Sequence, residues 1–431
     1  MNHKKHERHE RHEKVGKGLV PRLRFPEFWG EPGWECKELG EIVVSISNGI
    51  SLTQGTATSG VKVTRIETIS ESRIDLSKVG YVETDEDISA YKLEVGDILL
   101  SNINSVSHIG KSVIIDKDYD IYHGMNLLRI VVDSRLASPR FAFLALNTDE
   151  TRSSIRARAN KAVNQASISQ TELRRTLVVV PQLAEQQIIA DCLGSLDDLI
   201  AAEGRKLAAL RNHKKGLIQQ LLPREGETRP RLRFPEFRDA GEWRVRPIGE
   251  FGEIRMCKRI LASQTNDREG VPFYKIGTLG AKPDAYISQE LYEEYRRRFS
   301  FPKKGEVLIT CSGTVGKCVP YDGEDAYYQD SNIVWIANSQ REVDNRFLFS
   351  VLLNVDWGKL NSTTITRIYL DDLRMLKISF PSAMEEQYRI ADCLSSLDAL
   401  IAAQVKKLDA LRTHKRGLMQ QLFPSPEADK S

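Results

Sequence analysis

The stretch Glu185-Gln186-Gln187-Ile188-Ile189-Ala190-Asp191-Cys192-Leu193, running on to Leu221-Leu222-Pro223, decides the architecture because it occurs twice. The second copy begins Glu386-Gln387-Tyr388-Arg389-Ile390-Ala391-Asp392-Cys393-Leu394 and ends at Leu422-Phe423-Pro424. Aligning Ile188–Pro223 with Arg389–Pro424 leaves 25 of 36 positions identical, which two unrelated segments of one chain would not reach. Apolar residues fall at Ile189, Leu193, Leu196, Ile200, Leu207, Leu210, Leu217 and Leu221, stepping by four and three once Glu203 and Lys214 fill the gaps. That is a heptad seam. The second copy repeats it at Ile390, Leu394, Leu397, Ile401, Leu408, Leu411, Leu418 and Leu422, with Gln404 and Lys415 at the polar steps. Pro181 and Pro381 precede the two runs, Pro223 and Pro424 follow them, and Glu185 and Glu386 suit the positive end of a helix. Basic Arg211, Lys214, Lys215 and Arg412, Lys415, Arg416 are expected to serve the opposite end. The spacing predicts two helices of roughly 38 residues, about 57 Å each.

Outward from the helices, the rest of the chain is duplicated more loosely. Arg22-Leu23-Arg24-Phe25-Pro26-Glu27-Phe28 with Trp34 returns 209 positions later as Arg231-Leu232-Arg233-Phe234-Pro235-Glu236-Phe237 with Trp243. Gly96-Asp97-Ile98-Leu99 matches Gly305-Glu306-Val307-Leu308 at the same 209, Gly110-Lys111 and Asn126 match Gly316-Lys317 and Asn332 at 206, and Glu185-Gln186 matches Glu386-Gln387 at 201. A displacement that shrinks along the repeat means one fold in both copies, with loop residues missing from the second. A period near 200 is far beyond that of solenoids, so each copy is a domain plus a helix. A lone helix would leave its seam bare, and the economical cover is the other copy. Antiparallel packing would relate the halves by a pseudo-twofold axis and put the divergent domains at opposite ends. The alternative is that each helix packs only on its own domain.

The chain has 431 residues, too many for one ordinary domain, with 41% hydrophobic and 28% charged residues, the balance of a globular protein. Net charge is only +3, so nucleic-acid binding would have to come from local clusters. No run approaches the length of a membrane span and no leader is evident, which points to the cytoplasm and away from membranes. Six cysteines form no CxxC pair and are expected to be reduced, structural thiols. The divergent regions read as mixed α/β, with strands at Val61–Ile66, Asp97–Leu100, Ser112–Ile115, Leu127–Val132 and Thr176–Val180 and a helix near Phe141–Asn147. The second copy offers Phe273–Ile276, Glu306–Thr310, Ile333–Ile336 and Leu376–Phe380, with a helix near Arg346–Leu353.

The Phe-Pro-Glu-Phe opening with its tryptophan, Leu39-Gly40-Glu41, the Gly-Asp-Ile-Leu segment, the Pro181-to-Glu185-Gln186 lead-in and the twofold repeat together resemble the specificity subunit of type I restriction-modification enzymes. The second lead-in departs from the first by one extra residue, running from Pro381 to Glu386-Gln387. The resemblance implies a charged tail (1–20), target recognition domain 1 (21–181), a central spacer helix (182–223), target recognition domain 2 (224–381), a distal spacer helix (382–424) and a short tail (425–431). It implies that each domain reads half of a bipartite, asymmetric sequence in double-stranded DNA, and that the helices, packed as an antiparallel coiled coil, fix the spacing. By the same resemblance they dock two copies of a methyltransferase subunit. Restriction subunits join these, and S-adenosylmethionine, ATP and magnesium are used by the partners while this chain binds no cofactor.

Lysine and arginine bind phosphates, and arginine, asparagine and glutamine read base edges. The DNA-facing candidates of the first domain are therefore Lys62, Arg65, Lys111, Arg156, Arg158, Lys161, Asn164 and Gln165, with the acid-free cluster from Arg152 to Gln165 the best local signal. Those of the second are Lys258, Arg259, Lys275, Lys317, Tyr328, Gln329, Asn332, Thr364 and Arg367. The basic run Arg296-Arg297-Arg298 follows Glu293-Glu294 and reads as local salt pairing. His3, His6, His9 and His12 lie in a charged tail with no apolar residue between Asn2 and Lys14, which reads as disordered and without a metal. An enzyme is the rival class. No two prolines are adjacent, so no Asp/Asn-Pro-Pro-Tyr/Phe amino-methyltransferase motif exists, and no Pro-Cys dipeptide exists either. Gly110-Lys111-Ser112 is not a phosphate loop, because Ser105 stands where that motif needs glycine. A DNA-binding or scaffolding protein of domain-coil-domain form outside restriction-modification is the other alternative.

Overall fold

A computed structural model describes residues 18–52, 59–69, 73–105, 108–161, 165–224, 226–360 and 367–425, so the histidine tail, Asn164 and Thr364 lie outside the described residues. The chain divides into two compact units, Met1–Ala202 with Lys407–Ser431, and Glu203–Lys406. The first repeat contains β1 (Glu35–Glu38), β2 (Val43–Asn48), β3 (Val61–Val63), β4 (Gly80–Val82), β5 (Ile98–Ser101), β6 (Ile103–Asn104), β7 (Ser112–Ile114), β8 (Leu127–Val132), α1 (Pro139–Leu146), α2 (Asp149–Arg158), β9 (Asn160–Lys161), β10 (Ala166–Ser167), α3 (Gln170–Arg174), β11 (Leu177–Val180) and α4 (Leu183–Leu221). The second contains β12 (Arg244–Pro247), β13 (Gly252–Met256), β14 (Val271–Tyr274), β15 (Tyr286–Ile287), α5 (Gln289–Arg298), β16 (Val307–Thr310), β17 (Cys318–Pro320), β18 (Tyr327–Tyr328), β19 (Ile333–Asn338), α6 (Asn345–Leu352), α7 (Leu370–Met375), β20 (Lys377–Phe380) and α8 (Met384–Leu422).

Both repeats are built on one four-stranded antiparallel sheet, ordered β2-β8-β5-β7 in the first and β13-β19-β16-β17 in the second. The uniformly apolar run of β5 is explained by burial on both faces. Ile98 and Leu100 enter the core shared with α1 and the start of α4, whereas Leu99 faces a smaller core with Ile69, Val113 and Leu127. In the second repeat Val307 and Ile309 face α6 and α8, and Leu308 faces an aromatic core with Tyr292, Tyr327 and Trp335. A two-stranded ribbon, β1-β11 or β12-β20, carries the chain from each sheet to its long helix. All five strands expected in the first repeat, all four in the second and both short helices are present, with ends shifted by a few residues. Helices α2 and α5 escaped the periodicity reading because each buries so little: only Thr151 and Ile155 in α2, only Tyr292 in α5. Of the basic run at the end of α5, Arg298 pairs locally with Glu294 as expected, whereas Arg296 reaches Asp325, 29 residues on, at 2.9 Å.

Each long helix runs 39 residues. Every expected seam position is buried or half-buried, while Leu199 and Leu400, which stand off the seam at matching places, are 42% and 55% exposed. In the first unit Ile189, Ala190 and Leu193 join Leu422 and Phe423 in one core, and Lys415 Nζ meets Asp197 at 2.5 Å. In the second, Leu221 and Leu222 join Ile390, Ala391 and Leu394, Lys214 meets Asp398 at 2.5 Å, and Gln404 donates to Glu203. Contacts 203 to 404 and 214 to 398 run in opposite directions, so the packing is antiparallel. Each helix start therefore packs on its own domain and also on the end of the other helix. Lys214 and Lys415 were expected to serve the helix dipole. They instead sit seven residues before the helix ends, beyond the last turn over which that field acts, and bond across the seam. No described helix is long and apolar enough to cross a membrane.

Phe423 stacks on Phe141 with ring centroids 5.4 Å apart and meets the edge of Trp34 at 5.8 Å, so the last turn of the chain completes the first unit's core. Phe423→Ala should cost that unit about 3–5 kcal/mol, the usual loss for a buried phenyl ring. Chemical denaturation checks this, and an unmoved first-unit transition would remove Phe423 from the core.

Candidate nucleic-acid interface

The residues repeated most faithfully outside the helices form a frame, not a binding surface. Arg24 donates through Nε and Nη2 to the two carboxylate oxygens of Glu185 at 2.9 and 2.8 Å, and Trp34 Nε1 donates to Oε1 at 3.1 Å. Two further guanidinium hydrogens go to the carbonyls of Glu31 and Pro32. The second unit repeats the arrangement, with Arg233 on Glu386 at 2.7 Å twice and Trp243 at 3.3 Å. Hydrogen bonding to Glu185 raises the Arg24 pKa above its ordinary value. Both glutamates stand in the first turn of their helices, as expected, and their oxygens are also taken up by this buried clasp. Gln186 and Gln387, both fully buried, act alike: Oε1 accepts from the backbone N–H of Ser138 or Asp344, and Nε2 donates to Pro181 or Pro381. The extra residue of the second lead-in is absorbed before the helix, since Leu183 and Met384 both start two residues ahead of the glutamate. Leu23 N–H donates to Gln421 O and Leu232 N–H to Gln220 O, so each repeat's opening segment also holds the end of the other helix.

With the frame accounted for, the loops at the far end of β5 and β16 carry the unused polar groups. In the first unit, β6, β10 and β9 form a small sheet in which Ala166 pairs with both Asn104 and Lys161. That sheet draws the basic segment Asn160–Lys161, with exposed Gln165, onto the loop that leads to Lys111. Helix α2 covers the same loop. Gly110 has φ +78, and a Cβ there would lie 3.1 Å from Ile155 Cγ2, so the repeated glycine serves backbone conformation and packing. Trp357 covers Gly316 in the equivalent place. The cluster of α2 divides: exposed Arg158 is 3.6 Å from Glu172, while Arg152 and Arg156 are half-buried without a carboxylate among the described residues. Buried Ser101 Oγ and Asn102 Oδ1 lack hydrogen-bond partners among the described residues at the end of β5. These two were missed in the sequence, although a Ser-Asn pair straight after a fully apolar strand was the available signal. Lys62 and Arg65 stand apart on the β3 segment; Arg65 lines an open cleft of about 450 Å³ with Ser51, Leu52, Glu67, Met125 and Asn126.

In the second unit Asn332 and Ser312 are joined at 2.7 Å, Arg367 bridges to Ser312 through the backbone, and Lys317 N–H donates to Thr310 Oγ1. The side-chain oxygen of Gln329 is buried without a partner among the described residues. Lys258 lies over the ring of Phe299, Lys275 is 3.2 Å from Asp284, and Arg259 is exposed. Tyr328 was expected to face DNA. It is only 4% exposed and stacks on Tyr274, and burial pushes its pKa up, so the ring is core. Cys311 and Cys318 are likewise buried, and their thiols are pushed up to about 12. Among the described residues no three His, Cys, Asp or Glu side chains could hold a metal ion.

A family model described as the type I restriction modification DNA specificity domain matches residues 31–212 and again 240–412. The provisionally named MjaX type I restriction enzyme specificity subunit of Methanocaldococcus jannaschii is 31% identical over 408 residues, 90% of this chain and 92% of the relative. A type I specificity subunit of Haemophilus influenzae, also provisionally named, is 49% identical over 157 residues, which span 36% of this chain and only 40% of that relative. The crystal structure of the type I restriction-modification S subunit from M. genitalium superposes with a TM-score of 0.62 at 14% identity, covering 94% of this chain and all of that one. A structure from work on complex assembly and conformational transition of the type I system gives 0.54 at 18%, covering 91% and 98%.

Proposed function

Because the chain belongs to the type I restriction modification DNA specificity family, as a specificity subunit with two recognition domains, we propose that it addresses partner enzymes to a bipartite, asymmetric DNA target and performs no chemistry itself. The observation that carries this reading is the contrast within the repeat. The clasp and helices are held nearly constant, whereas the loops beyond β5 and β16 diverge. Surfaces that read different base sequences are free to differ; surfaces that bind one partner twice must stay alike. The DNA-facing side chains in this reading are Lys111, Arg156, Lys161 and Gln165 in the first domain and Lys317, Gln329, Asn332 and Arg367 in the second. Phosphate contacts fix the register and amides read base edges. Methyltransferase subunits supply S-adenosylmethionine chemistry, and motor-nuclease subunits use ATP and magnesium, within the cytoplasm. Co-expression with the methyltransferase subunit tests this: modification of DNA should require both proteins, and modification by the partner alone would overturn it.

Two methyltransferase copies per chain follow from the two exposed leucines, Leu199 and Leu400, on nearly identical helix surfaces. Native mass measurement should find two copies on the wild type, one on Leu199→Asp or Leu400→Asp, and none on the double variant at the same concentration. Two copies on the double variant would show that these leucines do not anchor the partner.

A further inference from the structure

Arg152 and Arg156 lie one turn apart on α2, facing the same way. The Nε of each is shut off from solvent with no hydrogen-bond acceptor among the described residues. Arg152 donates through Nη2 to Asn147 Oδ1, and Asn147 is itself fixed by donating to Ser112 Oγ at 2.8 Å and to Phe143 O at 2.7 Å. Burial lowers the Arg152 pKa and the neighbouring Arg156 charge lowers it further; only Asp149, one turn earlier, acts weakly against this. Glu172 is engaged by Arg158 and Arg175. Two like charges held together, partly desolvated and unpaired, destabilise the folded chain unless an anion joins them. Ser112 follows directly on Lys111, so the pair adjoins the loop already assigned to DNA. The second unit has no counterpart among its described residues, because the turn after α6 presents Trp357 instead.

We propose that Arg152 and Arg156, with Arg152 oriented by Asn147, form a binding site for one backbone phosphate of the DNA half-site read by the first domain. The inference rests on the DNA-addressing reading and adds an asymmetry to it: the first half-site is held by a charge clamp that the second lacks. Arginine is suited to this because its planar fork grips phosphate oxygens two at a time.

The test measures binding of the full chain, assembled with its methyltransferase partner, to its duplex across a salt series. The slope of log affinity against log salt should fall by about 1 for each of Arg152→Gln and Arg156→Gln, with the preferred sequence unchanged. Arg156→Lys should restore part of the slope. Removing charge from one backbone phosphate at a time by methylphosphonate substitution should weaken the wild type at one position in the first half-site and leave the double Gln variant indifferent there. Unchanged slopes in folded variants, or equal losses on DNA carrying only the second half-site, would overturn the clamp while leaving the DNA-addressing reading standing. A wild type that binds no duplex specifically would overturn both. Stabilisation by inorganic phosphate alone, lost in the variants without any change in the DNA salt slope, would make this a free-anion site and likewise overturn the proposal.

Discussion

Glu386→Ala is expected to unfold the second unit at temperatures where the first remains intact. The substitution leaves the Arg233 guanidinium buried without its carboxylate and removes the acceptor of Trp243 Nε1. Breaking a buried, hydrogen-bonded ion pair from one side costs about 3–5 kcal/mol. Domains are stable by only about 5–15 kcal/mol, so the loss takes a large share of the unit's stability. Glu185→Ala should act in the same way on the first unit, through Arg24 and Trp34. Paired replacement of Arg233 and Glu386 by apolar residues should cost much less than Glu386→Ala, because no charge is then stranded. Calorimetry on the three variants separates these cases: one transition should move and the other stay. Equal, small shifts in all three would show that the clasp contributes no more than a surface ion pair.

Exchanging residues 43–176 for the corresponding segment of another family member, with Arg24, Trp34, Glu185 and Gln186 retained, is expected to replace one half of the recognised sequence completely. The segment carries β2 through α3, hence every first-domain candidate, while Arg24, Trp34, Glu185 and Gln186 lie outside it and Gln186 meets it through the backbone N–H of Ser138. Specific sites are bound roughly 10³–10⁷ times more tightly than unrelated DNA, so the original target should fall to the background while the second half-sequence persists in the new one. Selection of bound duplexes from a random pool measures this directly. Retention of the original first half-sequence would mean that recognition lies outside the exchanged segment.

The architecture was legible in the sequence because long, strictly periodic runs survive tertiary context. The heptad residues from Ile189 to Leu221 and Ile390 to Leu422 are the buried ones, and the proline stops lie within a few residues of the helix ends. The repeated Arg-Phe-Pro-Glu-Phe, Trp and Glu-Gln residues were legible as landmarks but not as contacts, since the pairing of Arg24 with Glu185 joins positions 161 residues apart. The candidate interface was less legible, because a basic residue in a loop looks the same whether it is paired or free. Arg158 and Arg156 are two positions apart, yet among the described residues one meets Glu172 and the other meets no acid. Tyr328 looked like a base contact and is core, because the parallel pairing of β14 with β18 stacks it on Tyr274. Asn102 carries no charge, so the polar Ser101-Asn102 pair closing an apolar run was its one sequence signal, and the burial of its unpartnered oxygen among the described residues marks it in the structure.

The central claim is that two diverged domains on a constant frame read two unlike DNA sequences. Sequencing of modified positions in DNA from cells that carry this chain with its methyltransferase partner tests it most directly. One motif made of two different half-sequences, separated by a gap of fixed length and unspecified bases, is the expected result. A palindromic motif, a continuous one, or a gap of variable length would contradict it.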